Sequence, residues 1–172
     1  MQNDFKNKMI VPVNEPAISK EAKENVATAL SHGWISSAGP FVGEFEDAFA
    51  KYIGVQHAVS VSNGTAALHI ALLALGIGKG DEVIVPAFSM GACFLSVLYS
   101  GAKPVFVDCE LETYNIDPNK IEEKISPKTK ALMLVHTYGH ACDIDAIQVI
   151  TKKYGLKIIE DAAEAHGATY KG

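Results

Sequence analysis

Residues 82–108, EVIVPAFSMGACFLSVLYSGAKPVFVD, read as strand, helix and strand in immediate succession. EVIVPAF (82–88) is a short continuous apolar run closed by Pro86, Ser89 to Tyr99 is a helix, and KPVFVD (103–108) is a second strand. Strands whose apolar residues do not alternate with polar ones are buried on both faces. A helix between two such strands carries the chain back to start the next one in the same direction. The stretch therefore predicts a parallel sheet with helices packed on it.

The alternation continues on both sides. Downstream come a short helix from Pro118 to Ile125, a strand KALMLVH (130–136), a helix from Asp143 to Tyr154 and a strand LKIIED (156–161). Upstream, HAVSVS (57–62) reads as a strand, and Thr65 to Leu75 as a nearly all-apolar and hence buried helix. The expected fold class is α/β, a mostly parallel sheet flanked by helices. Ligands of such sheets bind at the carboxyl ends of the strands, which selects Ser62–Thr65, Phe88–Met90, Asp108, His136–Gly139 and Glu160–Glu164. Ahead of this region, Pro12 and Pro16 predict an extended arm. Ser19 caps a helix to about Ser31 that Gly33 ends. WISSAGP (34–40) is a loop, and Pro40 opens a second helix with Phe41, Phe45, Ala48, Phe49 and Tyr52 on one face, stopped by Gly54. Residues 1–56 are thus expected to form an arm with two helices, and 57–172 an α/β domain. AHGATYKG (165–172) stops while the alternation is still running, so the chain is expected to be the front part of a longer fold.

Composition narrows the function. The 172 residues carry 15 basic and 20 acidic side chains, a formal net charge of -5. A nucleic-acid partner needs a basic face and is not expected. Cys93, Cys109 and Cys142 form no CxxC pair, so neither a disulfide framework nor a cysteine zinc knuckle is expected, and reduced, cytoplasmic thiols fit. No apolar run approaches the ~20 residues that span a bilayer, and the first residues do not read as a secretory leader.

Two motifs carry chemistry. In SNGTAALHIALLALG (62–76), Gly64 and Thr65 follow the expected strand and open a helix, where backbone N–H groups and the helix dipole favour a phosphate. The same residues would serve equally as a plain helix cap with a turn glycine. In IIEDAAEAHG (158–167), Asp161 sits just past a buried strand, where a carboxylate is costly unless it meets a cation. A protonated pyridine nitrogen would be one such cation. Glu164, three residues on, lies on the same side if the segment turns helically; Glu160 and Asp161 could instead merely cap the following turn. GIGKGDE (76–82) imitates a dinucleotide fingerprint but follows a helix and precedes a strand, the reverse of the required order. HTYGH (136–140) lacks the glutamate and the unbroken helix of a zinc motif.

Taken in order, GWISSAGPFVGEFEDAFAKYIG (33–54), SNGTAALHIALLALGIGKGDEVIVPAFS (62–89), the stretch from 101 to 145 and GLKIIEDAAEAHGATYKG (155–172) resemble the DegT/DnrJ/StrS-type sugar aminotransferases. The wording of 33–54 and 113–145 is nearest to perosamine-synthase-like members. The resemblance implies the large domain of the aspartate aminotransferase fold (fold type I), incomplete here and without the C-terminal small domain. It implies pyridoxal 5'-phosphate as cofactor, a homodimer, and transfer of an amino group from an amino acid such as glutamate to a nucleotide-linked keto-deoxy sugar. It implies that Gly64 and Thr65 hold the cofactor phosphate and that Asp161 pairs with the pyridine nitrogen. Met90 stands where the family stacks an aromatic on the ring, and Phe88 could face the same way from a strand. Glu164 stands where the family usually has a glutamine beside the ring hydroxyl, so a carboxylate there would repel a phenolate.

The family's Schiff-base lysine belongs to a later motif, so it is expected beyond Gly172 and no catalytic residue is assigned among these 172. Three other readings stay open: a dehydratase of the same family with histidine at the lysine position, a non-catalytic gene fragment, and a generic α/β nucleotide-binding module.

Overall fold

The computed structural model describes Pro12 and residues 15–172. Most of the expected N-terminal arm therefore lies outside the described residues. Two compact units divide the chain, Met1–Ser60 and Val61–Gly172.

In the first unit, α1 spans Lys20–Ser31 and α2 spans Phe41–Ile53. Ser19 caps α1 by accepting the Ala22 N–H at 3.0 Å. Gly54 ends α2 at φ 81°, a left-handed position that suits glycine. The aromatic face expected on α2 is present, with Phe45 and Phe49 stacked at 5.6 Å, but of α2's residues only Ala50 is buried.

The second unit runs α3 (Gly64–Ala74), β1 (Glu82–Pro86), α4 (Ala92–Tyr99), β2 (Lys103–Val107), β3 (Thr129–Val135), α5 (Ile144–Tyr154) and β4 (Lys157–Asp161). The four strands are parallel in the order β2-β1-β3-β4. The central strands β1 and β3 are apolar on both sides beyond their first residues because their two faces meet different cores. Val83, Val85, Ala131 and Met133 face Leu68 and Leu72 of α3 and Cys93 and Val97 of α4. Ile84, Leu132 and Leu134 face Ile147 and Ile150 of α5 together with Ile116 and Ile121. The period-2 geometry of a strand sends alternate residues to opposite sides, so two helical layers consume the whole apolar run. Among the described residues no helix is long and apolar enough to cross a membrane.

Several expectations are corrected. HAVSVS (57–62) forms no strand. A strand needs a ladder partner, and here Ser60 gives its N–H (2.7 Å) and hydroxyl (2.8 Å) to the Glu46 carboxylate. Helix α3 is not wholly buried: Leu68 and Leu72 are, whereas Ile70 and Leu73 are 50% and 54% exposed. The helix expected from Ser89 starts at Ala92. The helix expected over 118–125 is two 3₁₀ turns, Pro118–Lys120 and Glu122–Lys124. Lys120 N–H to Asp117 O (3.1 Å) and Lys124 N–H to Ile121 O (3.0 Å) close these turns at the i, i+3 spacing of a 3₁₀ helix.

Asn63 caps α3, its side-chain oxygen accepting the Ala66 N–H at 2.9 Å. Asn63→Ala is expected to cost about 1 kcal/mol, read as a lowered urea midpoint; an unchanged midpoint would show that this cap does not support the helix.

Candidate active site

The strand order reverses between β1 and β3: β1 leads to β2 on one side, and the chain then crosses back to β3 and β4 on the other. Such a reversal opens a crevice at the carboxyl ends of the strands. A cavity of about 330 Å³ lies there, lined by Ala87–Met90 after β1, Val135–Tyr138 at the end of β3, and Asp161, Ala163 and Glu164 at and after β4. The wall is mostly apolar, with a few polar groups, the composition of a small-molecule site.

Asp161 is the last residue of β4, and both its oxygens are held. Oδ1 accepts the Ala163 N–H at 3.1 Å, and Oδ2 accepts the Cys93 thiol at 3.4 Å. The segment after Asp161 is not helical but a pair of turns, closed by Ala165 N–H to Ala162 O (2.9 Å) and Ala168 N–H to Ala165 O (3.0 Å). Asp161 therefore does cap the following turn, and it also faces the cavity; the two sequence readings are not exclusive.

Glu164 reaches the cavity through that turn. Its Oε2 accepts the N–H of Tyr138 at 2.8 Å. Tyr138 has φ 51° and Gly139 has φ 85°. A left-handed tyrosine is uncommon, and such strain persists where surrounding bonds over-determine it. At Gly139 a Cβ would stand 3.0 Å from the Glu164 carbonyl oxygen, so the 137–139 turn and the Glu164 backbone approach as closely as glycine allows.

Deeper in the wall, His136 is buried and accepts the Cys142 N–H on Nδ1 at 3.2 Å, with Nε2 3.9 Å from Glu160. Thr137 gives its N–H to Asn115 at 3.0 Å, while its side-chain hydroxyl is buried with no hydrogen-bond partner among the described residues. A buried, unsatisfied hydroxyl costs about 1–3 kcal/mol, so an orphan on a cavity wall marks where a ligand's polar atom would be welcome.

The structure brings Phe88, Met90, Asp161 and Glu164 to one cavity. Phe88 also packs on Tyr114 at 5.4 Å, and Met90 is 75% exposed. Gly64 and Thr65 open α3, where the first N–H groups have no partner inside the helix; neither lines this cavity. Asp108, at the end of β2, pairs instead with Lys120 at 3.3 Å and lies off the cavity. Thr137 falls within the selected His136–Gly139 stretch, whereas sequence reasoning missed Cys93. Cys93 lies 68 residues from Asp161, and only its i, i+4 spacing from Ser89 hinted at a shared face.

Burial pushes the Cys93 thiol from its ordinary 9.0 up to about 11, with the hydrogen-bonded Ser89 opposing and the Asp161 carboxylate adding to the rise. A group whose folded pKa is raised keeps its full stabilisation below the unfolded value and loses it as pH climbs towards the folded one. The wild-type protein should thus lose stability between about pH 9 and about pH 11 more steeply than Cys93→Ser. Urea midpoints at a series of alkaline pH values measure this; parallel pH profiles would show that Cys93 is not held protonated.

Comparison with known proteins bears on the same region. The DegT/DnrJ/EryC1/StrS aminotransferase family model matches residues 16–172. GDP-perosamine synthase of Caulobacter vibrioides is 50% identical over 162 residues, which are 94% of this chain and 44% of that protein. The dTDP-3-amino-3,6-dideoxy-alpha-D-galactopyranose transaminase of Aneurinibacillus thermoaerophilus is 48% identical over 153 residues, 89% of this chain and 42% of that protein. Among solved structures, NtdA from Bacillus subtilis with bound cofactor PMP matches with TM-score 0.83 and 38% identity, covering 95% of this chain and 39% of its own. The chain therefore spans less than half the length of the relatives it matches.

Proposed function

The chain belongs to the DegT/DnrJ/EryC1/StrS aminotransferase family, and we propose that its cavity is the pyridoxal-phosphate site of a nucleotide-sugar aminotransferase. One observation carries this reading: the Asp161 carboxylate, fixed at both oxygens, stands at the end of β4 on the wall of a largely apolar cavity. The donor set fits the cofactor. A carboxylate suits a protonated ring nitrogen. Phe88, Met90 and Ala163 offer apolar surface for the ring's faces. The orphan Thr137 hydroxyl offers one polar contact more. When bound, the cofactor supplies an electron-poor ring that stabilises negative charge on the carbon bearing the amino group.

The chain's own residues then divide the work. Asp161 would accept the hydrogen bond of a protonated ring nitrogen and so would set the ring's orientation. Glu164, tied to the Tyr138 N–H, shapes the turn beside the ring, and Tyr138 lines the cavity from that turn. Gly64 and Thr65 are assigned to the phosphate on the strength of their place at the start of α3. Among the described residues no lysine lines the cavity, so the amine that would attach the cofactor is assigned to the part of such an enzyme that this chain, matching less than half of its relatives' length, does not cover. The donor is an amino acid and the acceptor a nucleotide-linked keto-deoxy sugar, by analogy with the perosamine synthase and the dTDP-amino-sugar transaminase. A homodimer in the cytoplasm is part of the same reading.

The test is a titration of the purified protein with pyridoxamine 5'-phosphate, followed by ring absorbance. Saturable one-to-one binding, without turnover of amino donors by this chain alone, is expected. Equal or tighter binding of a plain nucleotide such as ADP at the same cavity would replace this reading with a nucleotide-binding module.

A further inference from the structure

We propose that Cys93 is a positioning residue: its thiol, oriented by Ser89, fixes the direction in which the Asp161 carboxylate faces the cavity. The argument begins with a proton count. The Cys93 sulfur lies 3.0 Å from the Ser89 hydroxyl and 3.4 Å from Asp161 Oδ2. A carboxylate can only accept, so the single thiol proton points at Asp161. The sulfur is then left as an acceptor, and the Ser89 hydroxyl donates to it. The bonds run one way, Ser89 to Cys93 to Asp161.

This chain of donors has a geometric consequence. Asp161 is gripped by Cys93 on α4 through Oδ2 and by the Ala163 N–H through Oδ1. Two donors on separate elements stop rotation of the carboxylate and leave its remaining lone pairs for the cavity. Cys93 is itself immobilised, 1% exposed among Val83, Val85, Val97 and Met133. It does not line the cavity, whereas Ser89 does; the thiol acts on a ligand only through Asp161. Thiol chemistry suits the place, because sulfur tolerates an apolar core while still supplying a weak donor. A cysteine that merely fills space would make the same apolar contacts but would not need a carboxylate in line with its proton.

The hydrogen bond stands on this chain's geometry alone, while its effect on a ligand rests on the cofactor reading above, and the experiment separates the two. The infrared S–H stretching band of Cys93 is first identified as the band lost in Cys93→Ser. In Asp161→Ala, which leaves Cys93 in place, that band is expected to move to higher frequency as the acceptor disappears. A band at the same frequency in wild type and Asp161→Ala overturns the proposal. Pyridoxamine 5'-phosphate affinity is then compared across variants. Cys93→Val, which keeps the bulk and removes the donor, is expected to bind about five-fold more weakly, the net worth of one hydrogen bond. Cys93→Ser, which restores a donor, is expected to recover most of that loss. Cys93→Val binding as tightly as wild type overturns the positioning role. Failure of the wild type to bind the probe at all would sink the cofactor reading, and the infrared band would still decide whether Cys93 holds Asp161.

Discussion

Asp161→Ala is expected to weaken pyridoxamine 5'-phosphate binding by about 100-fold, the largest effect of any single change at the cavity. Hydrogen bonds to charged partners are worth about 1.5–3 kcal/mol each, and breaking a buried ion pair costs about 3–5 kcal/mol. Asp161 is half-buried at the cavity wall, so its loss falls near the lower of the two ranges, and about 1.4 kcal/mol per decade converts that to roughly two decades of affinity. Asp161→Asn separates charge from shape. The amide keeps the volume and an oxygen for the Ala163 N–H, yet it cannot stabilise a protonated ring nitrogen. Both variants should therefore fall together in affinity, and the bound cofactor's absorbance should lose its protonated-ring character in Asp161→Asn. Wild-type affinity in Asp161→Asn would mean that the cavity recognises its ligand through some other group, with Thr137 and Glu164 the next to test.

The parts of this site that the sequence made legible share a physical signature. Asp161 is a charge at the end of a buried apolar strand, and Phe88 and Met90 follow another; a strand end is readable because continuous hydrophobicity stops there. The parallel sheet was readable for the same reason, since EVIVP, KPVFV and KALMLV have no polar face to give to water. What was not legible depended on partners distant in sequence. Cys93 and Asp161 meet only because α4 packs on the face of the sheet that carries Val83, Val85 and Met133. The Thr137 orphan is visible only once the 3₁₀ turn of Thr137–Gly139 has formed. The strand expected at 57–62 failed in the opposite sense. Alternating valines supply β-propensity, but a ladder needs a neighbour, and Ser60 is bonded to Glu46. Helix α3 misled through composition: nearly every residue is apolar, so no periodicity could reveal that one side, with Ile70 and Leu73, remains uncovered.

Leu132→Ala is expected to destabilise the protein by about 3–4 kcal/mol, within the usual range for removing a fully buried leucine. Leu132 lies on β3, paired in register with Ile84 of β1 and Ile158 of β4, and it is completely buried in the core beneath α5. Total stabilities of ~5–15 kcal/mol make this a large fraction of the whole. With urea slopes of about 1–3 kcal/mol per molar, the midpoint should drop by roughly 1–4 M. Leu73→Ala, at an exposed position of α3, should move it hardly at all, within about 0.5 kcal/mol. The contrast tests the sheet as the organising core: equal shifts in the two variants would mean that β3 is not the central buried strand. The same experiment reaches the cavity, because β3 ends at Val135 and leads into His136, Thr137 and Tyr138 on its wall. A ligand that binds only the folded state adds stability as its concentration exceeds its dissociation constant. Saturating pyridoxamine 5'-phosphate should therefore raise the Leu132→Ala midpoint and leave that of Leu132→Ala/Asp161→Ala nearly where it was. Recovery in both would place the probe somewhere other than beside Asp161.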